Sequence, residues 1–568
     1  AEELPGTVLA MLQARLLRLD PRARRVLAAA SVFGERFWRG GLLALLGPGP
    51  AAWPETAPVP VEDGRMEVER GLLLLVAAET IARQAESRFP GEPQYTFRHA
   101  LVREAAYGLL SEEERRAGHR AAGQYLETLG EREPMVLAEH YLRGQELKRA
   151  AQYFARAAVE LAEGSDLAGA LRCVERGLGC GATGEVLGTL HAVAAWAHFW
   201  SWNFAAAHEA AHAALPLLEA GSAAWCRALG MVLSMAVPLG RRDIVQAHIG
   251  TLVQAEPAPG AEGVYLEQLW VLVVGLVLMV LRDELRAVLG RMQAILSRLG
   301  ENELRARGLL HVSRSVCGLG EGDFWTYRSE AEAAMACFVA VGDRRYQIVA
   351  ETHAGLGQAL LGDEEAAAAR LRAALELGRR LGESMMEGVL QTHIAHALLE
   401  SGRPEHLGEA EALAQAMIAN SGALTFWSAL GYCVLAGVHL ERGEFAAAEH
   451  AARQAHPVVE AIGPLSSALL GRALLAQGTA EAARAVVDAE LATLARRGGS
   501  GFMDIKLHLV AAEVRRAQGE PEAARESLDR AAELLEQRAA RIPDPTVREN
   551  YLGRVRDHVR VAELRRRW

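Results

Sequence analysis

From about residue 135 the chain is interrupted at a nearly fixed interval, and that beat limits what it can fold into. Glycines at Gly181, Gly221, Gly260, Gly300, Gly342, Gly382, Gly422, Gly463 and Gly499 fall about 40 residues apart. Between them the apolar residues follow helical spacing. In "YQIVAETHAGLGQALLGDEEAAAARLRAALELGRRLGE" (346–383) a first segment carries Ala354, Gly355 and Gly357, then Leu360 and Leu361. Gly362-Asp363 breaks it, and an alanine-rich segment follows with Leu371, Ala374 and Leu375 on one face. "VLAGVHLERGEFAAAEHAARQA" (434–455) and "LVAAEVRRAQGEPEAARESLDRAAELL" (509–535) repeat the grammar. Small residues let two helices approach closely, and large aliphatics bury against the next pair. The expectation is a mostly all-α chain with about ten stacked helical hairpins over residues 131–540.

Residues 1–130 do not keep the beat. "LPGTVLAMLQARLLRLDPRARRVLAAASVFGERF" offers helices over Thr7–Leu19 and Pro21–Ser31, the second opened by Asp20 as N-cap with Pro21 at its first position. A proline-rich insert at 47–66 reads as a mobile loop, and "GLLLLV" (71–76) as a buried strand or a helix end. "AESRFPGEPQYTF" then suggests a β-hairpin turning at Pro90-Gly91. Helix, helix, strand, wing, helix is the order of a winged-helix domain with a small β-wing. The tail at 541–568 reads as a polar helix capping the end of the array.

At 568 residues the chain exceeds one hydrophobic core. A net charge of −10 leaves no footprint for nucleic acid, and acidic and basic residues roughly balance over the first 130. Of 61 basic residues only Lys148 and Lys506 are lysine, which we read as codon bias. Six scattered cysteines without a C-x-x-C pair suit free thiols in a reducing compartment. The longest apolar run, Leu269 to Leu281, has 13 residues where a bilayer needs about 20, so a buried helix and a cytoplasmic protein are expected. The opening "AEELPGTVL" has no initiating methionine and reads as a piece of a longer protein.

Catalytic motifs are missing. With two lysines and no G-x-x-x-x-G-K-[ST], no phosphate-cradling loop can be placed, and no nucleophile motif occurs; the chain is expected not to be an enzyme. "GCGATG" (179–184) matches G-x-G-x-x-G but falls on a repeat boundary after a helix, where a glycine-rich turn is expected. "HEAAH" would put His208 and His212 on one helix face, with Glu209 as the base of a zinc hydrolase. No third ligand follows at a useful distance (Glu219 lies two turns on), so packing is the reading kept. His393 and His396 form a similar pair, read as polar residues of a hairpin. Trp196, Phe199, Trp200, Trp202 and Phe204 cluster in one hairpin; they form either core or, through Trp196, Trp200 and Trp202, a surface for a ligand or partner.

One further stretch, "QYTFRHALVREAAYGLL" (94–110), ends a short alternating run at His99, where a helix begins. Backbone N–H groups left unpaired there favour an anion. His99 either contacts such a ligand or merely caps the helix and packs on the wing.

The repeat grammar resembles the tetratricopeptide (TPR) repeat in a longer-period version. Together with "LPGTVLAMLQARLLRLDPRARRVLAAASVFGERF", "YTFRHALVREAAYGLLSEEERRAGHRAAGQYLE" and "RIPDPTVRENYL", it makes nearly the whole chain similar to the C-terminal half of STAND-type signalling ATPases. These are the predicted bacterial ATPases fused to Ser/Thr kinases, adenylate cyclases or LuxR-type regulators. The resemblance implies a winged helix and a TPR sensor behind an NTPase domain. A protein, peptide or small-molecule inducer would bind the concave face, ATP or ADP would sit in the upstream domain rather than in this chain, and activation would involve homo-oligomers. His99 falls on the family's Met-His-Asp motif, whose histidine touches the β-phosphate of ADP; Arg98 stands for the Met and Ala100 for the Asp. The rival expectation is a plain TPR scaffold without nucleotide coupling.

Overall fold

A computed structural model describes residues 6–47, 61–236, 241–300, 302–420, 426–455, 460–496, 498 and 503–568. Most of the proline-rich insert (48–60), Gly422 and Gly499 lie outside the described residues. The chain divides into two compact units, Ala1–Val193 and Ala194–Trp568.

The first unit opens with α1 (Gly6–Leu16) and α2 (Pro21–Phe33). Asp20 caps α2, its carboxylate accepting from the backbone N–H of Arg22 and Ala23, and Pro21 occupies the first position. Next come β1 (Arg36–Trp38), α3 (Arg39–Leu46), α4 (Val61–Ala77), β2 (Ile81–Arg83), β3 (Gln94–Phe97), α5 (Ala100–Gly108) and α6 (Glu112–Thr128). "GLLLLV" is therefore the end of a helix. The three strands form an antiparallel sheet in the order β1-β3-β2, which fits the small wing. The β2–β3 connection turns at Pro90-Gly91, where Gly91 takes φ +86° and Glu92 N–H donates to the Phe89 carbonyl. Strand β1 was not anticipated. It pairs Phe37 with Tyr95, their rings stacked at 5.8 Å, and that contact stabilises a strand of three residues. A core of Val26, Leu27, Leu42, Leu72, Phe97 and Ala106 joins sheet and helices. Helices α7 (Pro134–Arg143), α8 (Leu147–Glu163) and α9 (Leu167–Gly179) continue as hairpin layers, and the boundary falls within α10 (Gly184–Trp200).

In the second unit the hairpins run from α11 (Phe204–Ala214) and α12 (Ala223–Ala236) through α13 (Arg242–Gln254), α14 (Glu262–Leu278), α15 (Arg282–Leu299) and α16 (Leu304–Glu321). They continue with α17 (Phe324–Val341), α18 (Arg344–Leu360), α19 (Glu364–Leu381), α20 (Ser384–Glu400) and α21 (Leu407–Asn420). The series ends with α22 (Phe426–Arg442), α23 (Phe445–Ala455), α24 (Gly463–Ala476), α25 (Ala480–Arg496), α26 (Asp504–Ala517) and α27 (Pro521–Ala540). The tail is two short helices, α28 (Pro545–Gly553) and α29 (Arg556–Arg567), laid against α26 and α27. The architecture is an all-α solenoid of helical hairpins.

Inner and outer helices are separated by pattern. Outer helices bury one stripe: Val245, Ile249 and Leu252 on α13, Val288, Met292 and Ile295 on α15. Inner ones are buried nearly all round, as on α14, where Tyr265 to Val273 are all covered; this is the apolar run of Leu269–Leu281. Among the described residues no helix is long and apolar enough to cross a membrane. The inner helices also stack on one another, α14 on α16, α18 on α20, α22 on α24. Within hairpins the small residues do what their spacing implies: a methyl added at Gly355 would lie 2.7 Å from Leu371.

The glycine beat is finer than the sequence suggested. Gly322, Gly342, Gly362, Gly382 and Gly402 all take the left-handed conformation, so in this stretch nearly every helix end, not every second one, carries such a residue. Gly463 does not belong to the series. It is the first residue of α24, and a side chain there would meet the Glu490 carboxylate at 2.5 Å, so close packing explains it.

This solenoid also meets itself. Phe324, Tyr327, Leu356 and Leu360 of α17 and α18 share one core with Leu509, Leu528, Tyr551 and Leu564 of α26 to α29. Tyr327 and Leu356 of this closure also line an internal cavity.

Candidate functional site

Because the inner helices curve round until α18 faces α26, their inward side chains converge on a common space. Val277, Leu319, Leu356, Leu399, Leu430 and Leu465, from six different helices, line a cavity of about 160 Å³. Phe426 and Trp427 close one wall. The scale is that of an engineered cavity of about 150 Å³ that takes up benzene.

Into this apolar wall α18 and α20 set three imidazoles, His353, His393 and His396. The last two stand three residues apart on one face of α20, and His353 packs its ring on Tyr327 at 5.5 Å. None of the three makes a hydrogen bond among the described residues, and His353 Nδ1 is buried without a partner. Burial holds all three neutral at pH 7: it lowers His353 to about 4, lowers His393 to about 3 with help from His396 and His353, and lowers His396. His353 and His396 nonetheless keep some accessible surface, because that surface faces the cavity. The sequence reading of His393 and His396 as incidental polar residues of a hairpin is corrected here: they are cavity wall.

At the end of α20 the lining turns ionic. Lys506 of α26 reaches Glu400 at 3.2 Å and Asp557 of α29 at 3.1 Å. Arg472 of α24 pairs with Asp557 at 2.8 Å and approaches Glu513 at 3.6 Å. Burial pushes the Glu400 and Asp557 carboxyls up, but Lys506 and, for Asp557, Arg472 outweigh it and leave both below their ordinary values. Burial pulls Lys506 down, and the same carboxylates more than offset it. Lys506, Arg472, Glu400 and Asp557 stay ionised, two charges of each sign in a buried network. A neighbouring thiol, Cys433, is pushed up to about 12 by burial. One sign of Lys506 is readable in the sequence: it is one of only two lysines in a chain that otherwise uses arginine.

The residues singled out from sequence lie elsewhere. His99 is the N-cap residue of α5, in extended conformation, and its side chain makes no capping hydrogen bond. Arg98, His99 and Ala100 are all exposed. Of the two alternatives for His99, the cap is not what its side chain does. His208 and His212 do share a face of α11, rings 4.4 Å apart, with Glu209 exposed beside them. Among the described residues no three His, Cys, Asp or Glu side chains are grouped so as to hold a metal ion. Trp196 and Trp200 are each 2% exposed and present no surface, which corrects the expectation of a partner face there. Trp200 meets the Tyr346 ring at 6.3 Å, and the Arg345 guanidinium lies 5.0 Å from its ring, itself held by Glu383 at 2.9 Å. Trp202 donates from Nε1 to the Ser384 carbonyl at 3.3 Å, at the start of α20.

No protein-family model and no curated protein matches the sequence. Similar solved structures include the STAND protein with a tetratricopeptide repeat sensor, PH0952 from Pyrococcus horikoshii, at 12% identity and a TM-score of 0.34 over 94% of this chain. The chain spans 66% of that protein's length. Another is the APC/C hetero-tetramer Cut9–Hcn1, at 13% identity and a TM-score of 0.37, over 78% of this chain and 91% of that one.

Proposed function

We propose that this chain is the regulatory, non-catalytic sensor of a signal-transducing ATPase. An inducer is taken up by the repeats, and the N-terminal unit relays its presence to a nucleotide-binding domain acting with it. The observation that carries the reading is the cavity among the inner helices: apolar walls and a few convergent polar groups without partners are the ordinary make-up of a small-molecule site. Its volume of about 160 Å³, framed by six inner helices, favours a small molecule over a protein or peptide as inducer. The relay rests on a second feature, the exposed and uncapped His99 at the start of α5, where free backbone N–H groups and an imidazole suit a phosphate oxygen. Binding shifts the balance between a resting, ADP-holding form and an active one, by as much as the inducer prefers the second.

The test is made on the intact protein with its ATPase domain. His99→Ala speeds release of a fluorescent ADP analogue, and a bulky Leu430→Trp in the cavity wall changes that rate from a distance. Wild-type release rates in both variants would leave a plain repeat scaffold as the better description.

A further inference from the structure

The chemistry of the cavity narrows what it can hold. We infer that its ligand is a small, uncharged, mostly apolar molecule bearing a hydroxyl group, read by the imidazoles of His353, His393 and His396; this rests on the cavity being the inducer site.

Two observations lead there. The charged groups at the cavity end are already matched: Lys506 answers Glu400 and Asp557, Arg472 answers Asp557, and Arg560 answers Glu513 at 3.2 Å with Arg472 nearby. A carboxylate or ammonium entering beside them would bring a buried charge with no counter-charge left for it, which is strongly unfavourable. The polar capacity that remains open belongs to the three imidazoles and the Tyr327 hydroxyl beside His353, none of which makes a side-chain hydrogen bond among the described residues. Each neutral imidazole offers one donor and one acceptor, on nitrogens whose assignment depends on the tautomer. A hydroxyl both donates and accepts, so it fits whichever tautomer is present. The remaining walls, Val277, Leu356, Leu430, Leu465 and the rings of Phe426 and Trp427, ask only for apolar surface.

Four one-ring probes that share a methylphenyl body separate these demands: toluene, 4-methylphenol, 4-methylbenzoate and 4-methylbenzylammonium, with neutral 4-methylbenzyl alcohol as the size control for the ions. Binding is followed by calorimetry at pH 7 and by hydrogen exchange of the wild-type segments 389–400 and 427–434. We expect 4-methylphenol to bind once per chain, at least tenfold tighter than either ion and tighter than toluene, and to slow exchange in both segments. His353→Leu should remove the advantage over toluene while toluene binding persists, and Leu430→Trp should abolish both. Equal or tighter binding of 4-methylbenzoate or the ammonium ion overturns the ligand class and leaves the cavity as inducer site. Absence of binding by all four probes, or binding without slowed exchange in either wild-type segment, overturns both. The exchange footprint needs no variant, so a substitution that fails to fold does not shield the inference.

Discussion

Replacing Lys506 by methionine isolates the buried charge network. Its side chain is 10% accessible and those of Glu400 and Asp557 are 20% and 13% accessible, so little solvent screening is on hand. Asp557 keeps Arg472 in Lys506→Met, whereas the only ion pair Glu400 makes among the described residues is lost. Glu400 then has no ion pair, only the more distant Arg472 and the His396 imidazole near it, and it can stay charged or take up a proton. From an ordinary value of 4.5, protonation at pH 7 costs about 3.4 kcal/mol, at 1.36 kcal/mol per pH unit. That sets the ceiling on the loss, within the roughly 3–5 kcal/mol range for breaking a buried pair. It also fixes a pH dependence, because at pH 5.5 the same step costs only about 1.4 kcal/mol. Hydrogen exchange resolved by segment is the suitable assay, since a long repeat array need not unfold in one step. Segments within α20, α26 and α29 should exchange faster than wild type by up to about 300-fold at pH 7, and by up to about tenfold at pH 5.5. Adding Glu400→Gln should bring pH 7 exchange back to within about tenfold of wild type, leaving only an unpaired amide. A variant-to-wild-type ratio that is small, or equal at the two pH values, refutes the assignment of Glu400 as a charge held by Lys506.

Other outcomes follow from the same geometry. In the folded protein His353 and His558 titrate near 4 and His393 near 3, lowered chiefly by burial, against about 6.5 unfolded. Between these values the unfolded chain binds more protons, so stability is full above pH 6.5 and falls toward pH 4 by about 1.4 kcal/mol per pH unit for each imidazole. A thermal midpoint no lower at pH 5.5 than at pH 7.5 would contradict this. Gly362→Ala places a methyl 2.8 Å from the Asn550 carbonyl at a φ of +87°, and should weaken the seat of α28 by about 1–3 kcal/mol. Limited proteolysis would read it as earlier cleavage near residue 550, and wild-type resistance would count against the close approach. His99→Ala removes an exposed side chain without a capping bond, so stability should change by less than about 0.5 kcal/mol whatever happens to ADP release. A larger loss in a thermal melt would mean that the imidazole packs after all.

What the sequence made legible was local. Asp20-Pro21 announces α2, Pro90-Gly91 the turn between β2 and β3, and His99 a helix start, because each depends on residues within one turn of chain. Gly355 and Leu371 could be read as partners because 16 residues and one tight break separate them. Strand β1 could not be read: three residues carry no periodicity, and its reason for forming, Tyr95, lies 58 residues away. The cavity escaped for a related reason. Each inner helix contributes one or two residues, and helical spacing says which face is apolar but not how tightly successive hairpins curve. Without that curvature His393 and His396 are polar residues on an inner helix, and Lys506 is a rare letter.

The meeting of α17 and α18 with α26 to α29 bears on how such a sequence can change with time. An open array gains or loses a hairpin by duplication or deletion, and the remaining layers slide along to accommodate it. Here Gly362 must arrive beside Asn550 and Glu400 beside Lys506, with a set number of hairpins between. Adding or removing one would carry each partner a full layer past the other. The stretch from about residue 324 to the C-terminal helices is therefore fixed in length, and insertions or deletions are to be expected only within its turns.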